Sequence, residues 1–352
     1  MFGKLESLRG IAACAVILFH SSFNFGSDPI SFVKNSYLFV DFFFILSGFV
    51  MSYAYKNKIA QGLSFSNYIL LRLGRIYPLH LFMLLVFIPY VVIKQYLFNA
   101  GYGGGQDQLA TSNVATFVSN IFLLHSMGLH DHLSFNGPSW SISVEFFTYI
   151  VFYLLAVTLD KKGSLWLPVI ISVGMYALLY SIDSSTLGFT FDFGFIRCLA
   201  AFYLGVFLYR LKCPGFKKPR YIEPVSVVFL IAAVTFAHVN YATLMLGIIS
   251  FAVVIIAFSW SENGQLGKCL EMPLFRKIGV WSYSIYMLHA LTESIVANSL
   301  KYVFKFEVSG FTSLLVNAFL IVLTVFLAKF SYHYVEAYFR DKTKQYVNVA
   351  VK

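Results

Sequence analysis

Residues Leu8 to Phe25 read LRGIAACAVILFHSSFNF, an apolar run with an arginine at its mouth and a histidine deep inside it. Hydrocarbon rejects both residue types unless they have partners or work to do. Arg9 and His20 are eleven positions apart, which at 100° per residue is three turns plus roughly 20°, so in a helix both project from one face, about 16 Å apart along the axis. Such a helix could grip one end of a long ligand and do chemistry at the other. The competing reading is a surface-anchoring arginine and a histidine satisfied within a core.

The rest of the chain is as apolar as this run. Of its 352 residues 59% are hydrophobic and 12% charged, with a mean hydropathy of +0.73. Water-soluble domains average about a quarter charged residues, so most of this chain is expected to be dissolved in lipid. Aromatic residues reach 19%, which suits lipid-facing surfaces and interfacial belts. The net charge of +10 does not indicate nucleic-acid binding, because the basic residues lie between apolar runs and form no continuous patch. Cys14, Cys198, Cys213 and Cys269 show no metal or redox spacing, and the first run carries no small-residue cleavage site of a signal peptide.

Apolar runs recur at roughly 8–25, 37–55, 76–98, 140–159, 165–182, 195–211, 222–239, 242–260, 281–303 and 311–334, each near the length that a bilayer-spanning helix requires. The expected fold is therefore an all-α polytopic membrane protein of about ten transmembrane helices. An even number puts both termini on one side. With the N-terminus in the cytosol, the inner loops hold Lys4, Lys56, Lys58, Arg72, Arg75, Lys161, Lys162, Arg210, Lys212, Lys217, Lys218, Arg220, Lys268, Arg276, Lys277, Arg340, Lys342, Lys344 and Lys352, and the outer loops Lys34, Lys94, Lys301 and Lys305. That asymmetry predicts two cytoplasmic termini. Residues 1–340 read as one membrane domain and 341–352 as a short cytoplasmic tail. Val114 to Leu124 is too short to span and reads as an interfacial or re-entrant piece.

In RLGRIYPLH, residues 72–80, Arg72 and Arg75 share one helical face. With Arg9 they gather at the cytosolic mouth, and guanidinium forks suit phosphate oxygens; ordinary positive-inside residues are the alternative. The ionisable groups inside the membrane are His20, Asp41, Glu145 and His289, with His80 and His333 nearer span ends. Counted along their helices, His20 and Glu145 come to similar depth, so a His20–Glu145 pair is geometrically open, with Asp41 the alternative orienting acid. Ser141, Glu145 and Tyr149 share a face as a polar lining or a helix–helix seam. His289 reads as a structural histidine or as part of the lining. His125, His130 and His132 with Asp131 match no zinc spacing and read as solvated loop residues, so no metal is expected.

LESLRGIAACAVILFHSS, FVDFFFILSGFVMSY, RLGRIYP, GPSWSISVEFF and SYSIYMLH occur in an order and spacing that resembles the acyltransferase-3 family of integral membrane O-acyltransferases, across nearly the whole chain. The resemblance implies a ten-helix enzyme of the inner, cytoplasmic membrane. It would take an acyl group, usually acetyl from acetyl-CoA, and pass it to a hydroxyl of a cell-envelope glycan or glycolipid. It implies that His20 is catalytic and that Arg9, Arg72 and Arg75 hold the acyl-CoA co-substrate; Glu145, with Asp41 as the alternative, is the acid we add to the active centre, and no permanently bound cofactor is expected. Ser141, Tyr149 and His289 are candidates for acceptor or oxyanion lining. Some members carry a periplasmic hydrolase-like domain after the membrane part. This chain is expected to manage its acceptor without one or with a separate periplasmic partner, and a homo-oligomer is the other partner left open. The rival from another class is a secondary transporter or flippase that uses the same buried His, Asp and Glu residues.

Overall fold

The computed structural model describes residues 3–21, 23, 31–101, 106–159, 164–211, 221–260 and 264–350. Lys161, Lys162, Lys212, Cys213, Lys217, Lys218, Arg220 and Lys352 lie outside them, as do residues 22, 24 and 25 of the first expected span. Regular structure among the described residues is helical throughout. The principal helices are α1 (Gly3–His20), α2 (Phe39–Ala60), α3 (Phe65–Asn99), α4 (Trp140–Thr158), α5 (Trp166–Ile182), α6 (Gly194–Arg210), α7 (Ile222–Phe236), α8 (Tyr241–Trp260), α9 (Ser282–Asn298), α10 (Phe311–Ser331) and α11 (Tyr338–Ala350).

Among the described residues five helical stretches are long and apolar enough to cross a bilayer: Ser31–Ala60, Phe65–Asn99, Gly137–Thr158, Tyr241–Ser259 and Phe311–Val347. α5 and α7 are shorter apolar helices. α1, α6 and α9 are less apolar because they carry the ionisable groups, and they sit among other helices. α1 packs on α9 and on a short helix, Pro273–Val280; α6 packs on α2, α4 and α5. A helix shielded by protein need not satisfy lipid.

α2 and α6 cross at close range. A methyl group added at Gly48 would collide with the Phe202 carbonyl, and one at Gly205 with the Ile45 carbonyl. Small residues on both sides bring the backbones together, as is common between membrane helices. The same two helices share a buried ion pair. Arg197 Nε donates to both Asp41 oxygens at 3.1 and 3.2 Å, and its Nη2 to Oδ2 at 2.6 Å. The guanidinium also donates to the carbonyls of Phe189 and Tyr37. Both side chains are sealed from solvent.

Three elements differ from the sequence expectation. α3 begins at Phe65, eleven residues before the expected start of its span, with Ser64 Oγ accepting from the Asn67 amide as N-cap. Arg72 and Arg75 are therefore interior helical residues. α1 ends at His20, where Ser21 turns away and its hydroxyl donates to Asn317 of α10 at 2.6 Å. Finally, the expected tail from 341 is helical: a π-turn at Tyr332–Ala337 leads from α10 into α11, which lies against α3 with Thr343 over Gly74. The expected re-entrant piece is a helix at Val114–Ile121, closed by a capping box between Asn113 and Thr116.

Candidate active site

α1, α2, α3, α4 and α9 enclose a cavity of about 140 Å³. Arg9, Arg72 and Arg75 line it, with Ser141, Glu145 and Tyr149 from α4 and Ser282, Tyr283 and Tyr286 from α9. α2 supplies an apolar wall that includes Phe43, Ser47 and Met51. The residues that sequence spacing placed on one face of α4 thus meet the three arginines in one space.

Each arginine is held differently. Arg72 donates to the Tyr55 hydroxyl and lies over the Tyr55 ring, 4.5 Å from its centroid, and 5.7 Å from that of Tyr149. Its Nη1 contacts Met51 Sδ at 3.3 Å, while its buried Nε has no partner among the described residues. Arg75 forms an ion pair with Glu336, whose second oxygen accepts from Ser284 Oγ at 2.8 Å. Glu336 is buried. Arg9 makes no hydrogen bond among the described residues; its charged neighbours are Arg75, Glu145 and Glu336. A guanidinium that keeps unused donors facing a cavity is suited to an oxyanion ligand.

Glu145 accepts from the Tyr149 hydroxyl at 2.6 Å, which lies 3.1 Å from Ser47 Oγ. Ser141 Oγ is within 3.0 Å of the Tyr286 hydroxyl, which donates to the Pro138 carbonyl at 2.9 Å. The expected pairing of Glu145 with His20 is not formed: both Glu145 and Tyr149 belong to the arginine cavity, and His20 does not line it. Nor does Asp41 stand by His20, because Arg197 takes both of its oxygens.

His20 has a different partner. Its ring is 4.8 Å from that of His289, with Nδ1 and the His289 Nε2 3.2 Å apart. Hydrogen-bond bookkeeping assigns the tautomers. His289 Nδ1 is 2.5 Å from the Tyr286 carbonyl and so carries a proton, which leaves the Nε2 of a neutral ring as an acceptor. His20 Nδ1 is 3.1 Å from the Val16 carbonyl and must also be protonated, so it donates to both Val16 and His289. The lone pair of His20 then resides on Nε2, at the exposed end of α1. Tyr286 is the wall common to the two places: it lines the cavity, and its ring is 5.5 Å from that of His289.

The outer histidines hold no common centre, and no group of His, Cys, Asp and Glu among the described residues could hold a metal ion. His130 bonds Ser119, and His132 lies 2.6 Å from Asp131, whose carboxyl it holds below the usual carboxylate range. His125 is not a solvated loop residue: it is buried and stacked on His80, rings 5.4 Å apart and near parallel. Arg197 and Glu336 were missed by the sequence reading. The available signals were an arginine within an apolar run and a glutamate just past the last one.

Comparison with known proteins identifies the family of the chain. A family model described as an acyltransferase domain, acyltransferase-3, matches residues 2–332. Over 92 residues, 26% of this chain and 46% of the relative, the chain is 39% identical to "Protein 2 in picA locus" of Rhizobium radiobacter. It is 25% identical to a Staphylococcus aureus (strain COL) protein named "Putative O-acetyltransferase", over 96% of this chain and 57% of that one. It is 24% identical to a Bacillus subtilis (strain 168) protein named "Putative peptidoglycan O-acetyltransferase", over 94% and 54%. The chain spans about half the length of these curated relatives. No solved structure matches it. A match over residues 2–332 makes this chain a member of the acyltransferase-3 family.

Proposed function

We propose that this protein is a multi-pass O-acyltransferase of the cytoplasmic membrane that moves an acyl group, acetyl in the simplest case, from acyl-CoA to a hydroxyl of an envelope glycan or glycolipid. The observation that carries the reading is the cavity lined both by three guanidinium groups and by Tyr286, whose ring lies against His289 of the His289–His20 pair. The phosphates of the donor would dock on Arg9, Arg72 and Arg75, where charge-assisted bonds are strongest. The thioester arm would run toward Tyr286, which must move aside for the acyl group to meet His20.

His20 Nε2 would take the proton of the acceptor hydroxyl as its oxygen forms a bond to the thioester carbonyl carbon. Collapse of the adduct breaks the C–S bond, and the imidazolium returns its proton to the departing thiolate, which leaves an ester and free coenzyme. His289 is a positioning residue in this scheme. By accepting from Nδ1 it fixes the His20 tautomer, the part that the sequence reading gave to Glu145 or Asp41. A peptidoglycan acceptor is supported by the name of the Bacillus relative.

A second reading follows from His20 standing outside the cavity: Glu145, beside Tyr149 within it, would be the base. Transfer from labelled acetyl-CoA to envelope glycan by purified protein separates the two. His20→Ala should abolish transfer while coenzyme binding persists, whereas wild-type rates in that variant would move the base to Glu145. Label that stays on the coenzyme in the wild type would instead favour a transporter.

A further inference from the structure

A second hollow of about 310 Å³ adjoins the arginine cavity, and the two share Arg9, Val50, Arg72 and Arg75 as lining. Two more cations line the second hollow, Arg340 and Lys344, with Glu6 the carboxylate among its lining residues. Both cations come from α11, past the last residue matched by the family model. We propose that α11 completes a polyphosphate subsite, with Arg340 and Lys344 holding the outer phosphates of a ligand whose inner phosphates lie on Arg9, Arg72 and Arg75.

The fold puts these residues there by two devices. Glu336, within the π-turn before α11, is buried against Arg75 and Ser284 and pins the turn to α3 and α9. One turn beyond Arg340, Thr343 packs where Gly74 leaves no side chain, which seats α11 on α3. The bland alternative is a surface pair: Arg340 Nε donates to Asp341 at 2.9 Å, and Lys344 lies 3.9 Å from the same carboxylate. That pair does not account for the crowding. Lys344 has Arg340, Arg75 and Arg72 as like-charged neighbours against the single carboxylate of Asp341. Holding like charges together costs free energy that a multivalent anion at their centre reverses. Arg340 is also braced by the Tyr332 hydroxyl, 3.2 Å from Nη1, so its fork is ordered before a ligand arrives.

The inference rests on the donor reading, under which the ligand is the nucleotide end of acyl-CoA and the outer phosphate its 3′-phosphate. The test is binding of coenzyme A, 3′-dephospho-coenzyme A and inorganic pyrophosphate to the purified full chain in detergent. Wild-type protein should prefer coenzyme A over the dephospho form by about tenfold. Lys344→Gln and Arg340→Gln should each weaken coenzyme A binding several-fold, erase that preference and flatten its salt dependence. The Lys344 side chain is 57% exposed, so that variant does not put folding at stake. Coenzyme A binding at wild-type strength in both variants would overturn the subsite and leave the donor reading standing. Pyrophosphate binding that needs both residues, in a protein that ignores coenzyme A, would keep the subsite and overturn the donor reading.

Discussion

His289 shows what one side chain changes in the account. A lone buried histidine in an apolar helix is usually structural, and the sequence offers no reason to join it to His20, 269 positions away. Geometry makes it the acceptor that leaves Nε2 of His20 free to take a proton. His20→Ala is expected to lower kcat by roughly 10²–10⁴-fold, the contribution of a positioned base. His289→Ala should lower kcat less and leave donor KM unchanged, with partial recovery in His289→Gln, whose amide oxygen can accept from Nδ1. Steady-state kinetics and the pH–rate profile check both, since loss of a fixed tautomer alters the profile and mere structural damage does not. The arginines need a similar distinction. Arg75→Ala strands the buried Glu336 carboxylate and should impair folding, whereas Arg72→Ala removes a guanidinium with no ion-pair partner among the described residues and should raise donor KM.

Among the elements, the α2–α6 crossing is the structural keystone. Asp41 was a candidate acid because it is ionisable inside an apolar run, but its partner is Arg197, 156 positions along the chain. Removing either member leaves an unpaired buried charge, at a cost of about 3–5 kcal/mol. Arg197→Met and Asp41→Leu should therefore each lower stability strongly, and the double variant should be less damaged than the sum. Thermal unfolding in detergent measures it; additive losses would mean that the pair is not coupled. The start of α3 is a second instance of what sequence conceals. Hydropathy stops a span at its first charges, so Arg72 and Arg75 fell outside the expected third span although their spacing put them on one helical face. In the fold Tyr55, Met51 and Glu336 shield them, and the helix runs on to Ser64. Periodicity reports which residues are apolar, and charges sheltered by distant partners lie beyond its reach.

At the level of the whole molecule, the apolar runs, the arginines and the α4 polar face were legible because each rests on local spacing. The separation of the cavity from His20 by Tyr286 was not, because it depends on how α9 packs against α1 and α3. The excess of basic residues in alternate loops predicts that reporter fusions at the two ends of the chain both report the cytoplasmic side. Opposite sides would require an odd number of crossings. An acyl donor taken from one face and an acceptor from the other would place Tyr286 between coenzyme and water, a barrier against wasteful hydrolysis of the thioester.

The most direct measurement is transfer of radiolabelled acetyl from acetyl-CoA to envelope glycan by purified wild-type protein and by His20→Ala, with coenzyme binding followed in parallel. The account predicts labelled glycan from the wild type, and from the variant no labelled glycan despite retained coenzyme binding. Equal transfer by the two proteins would contradict it.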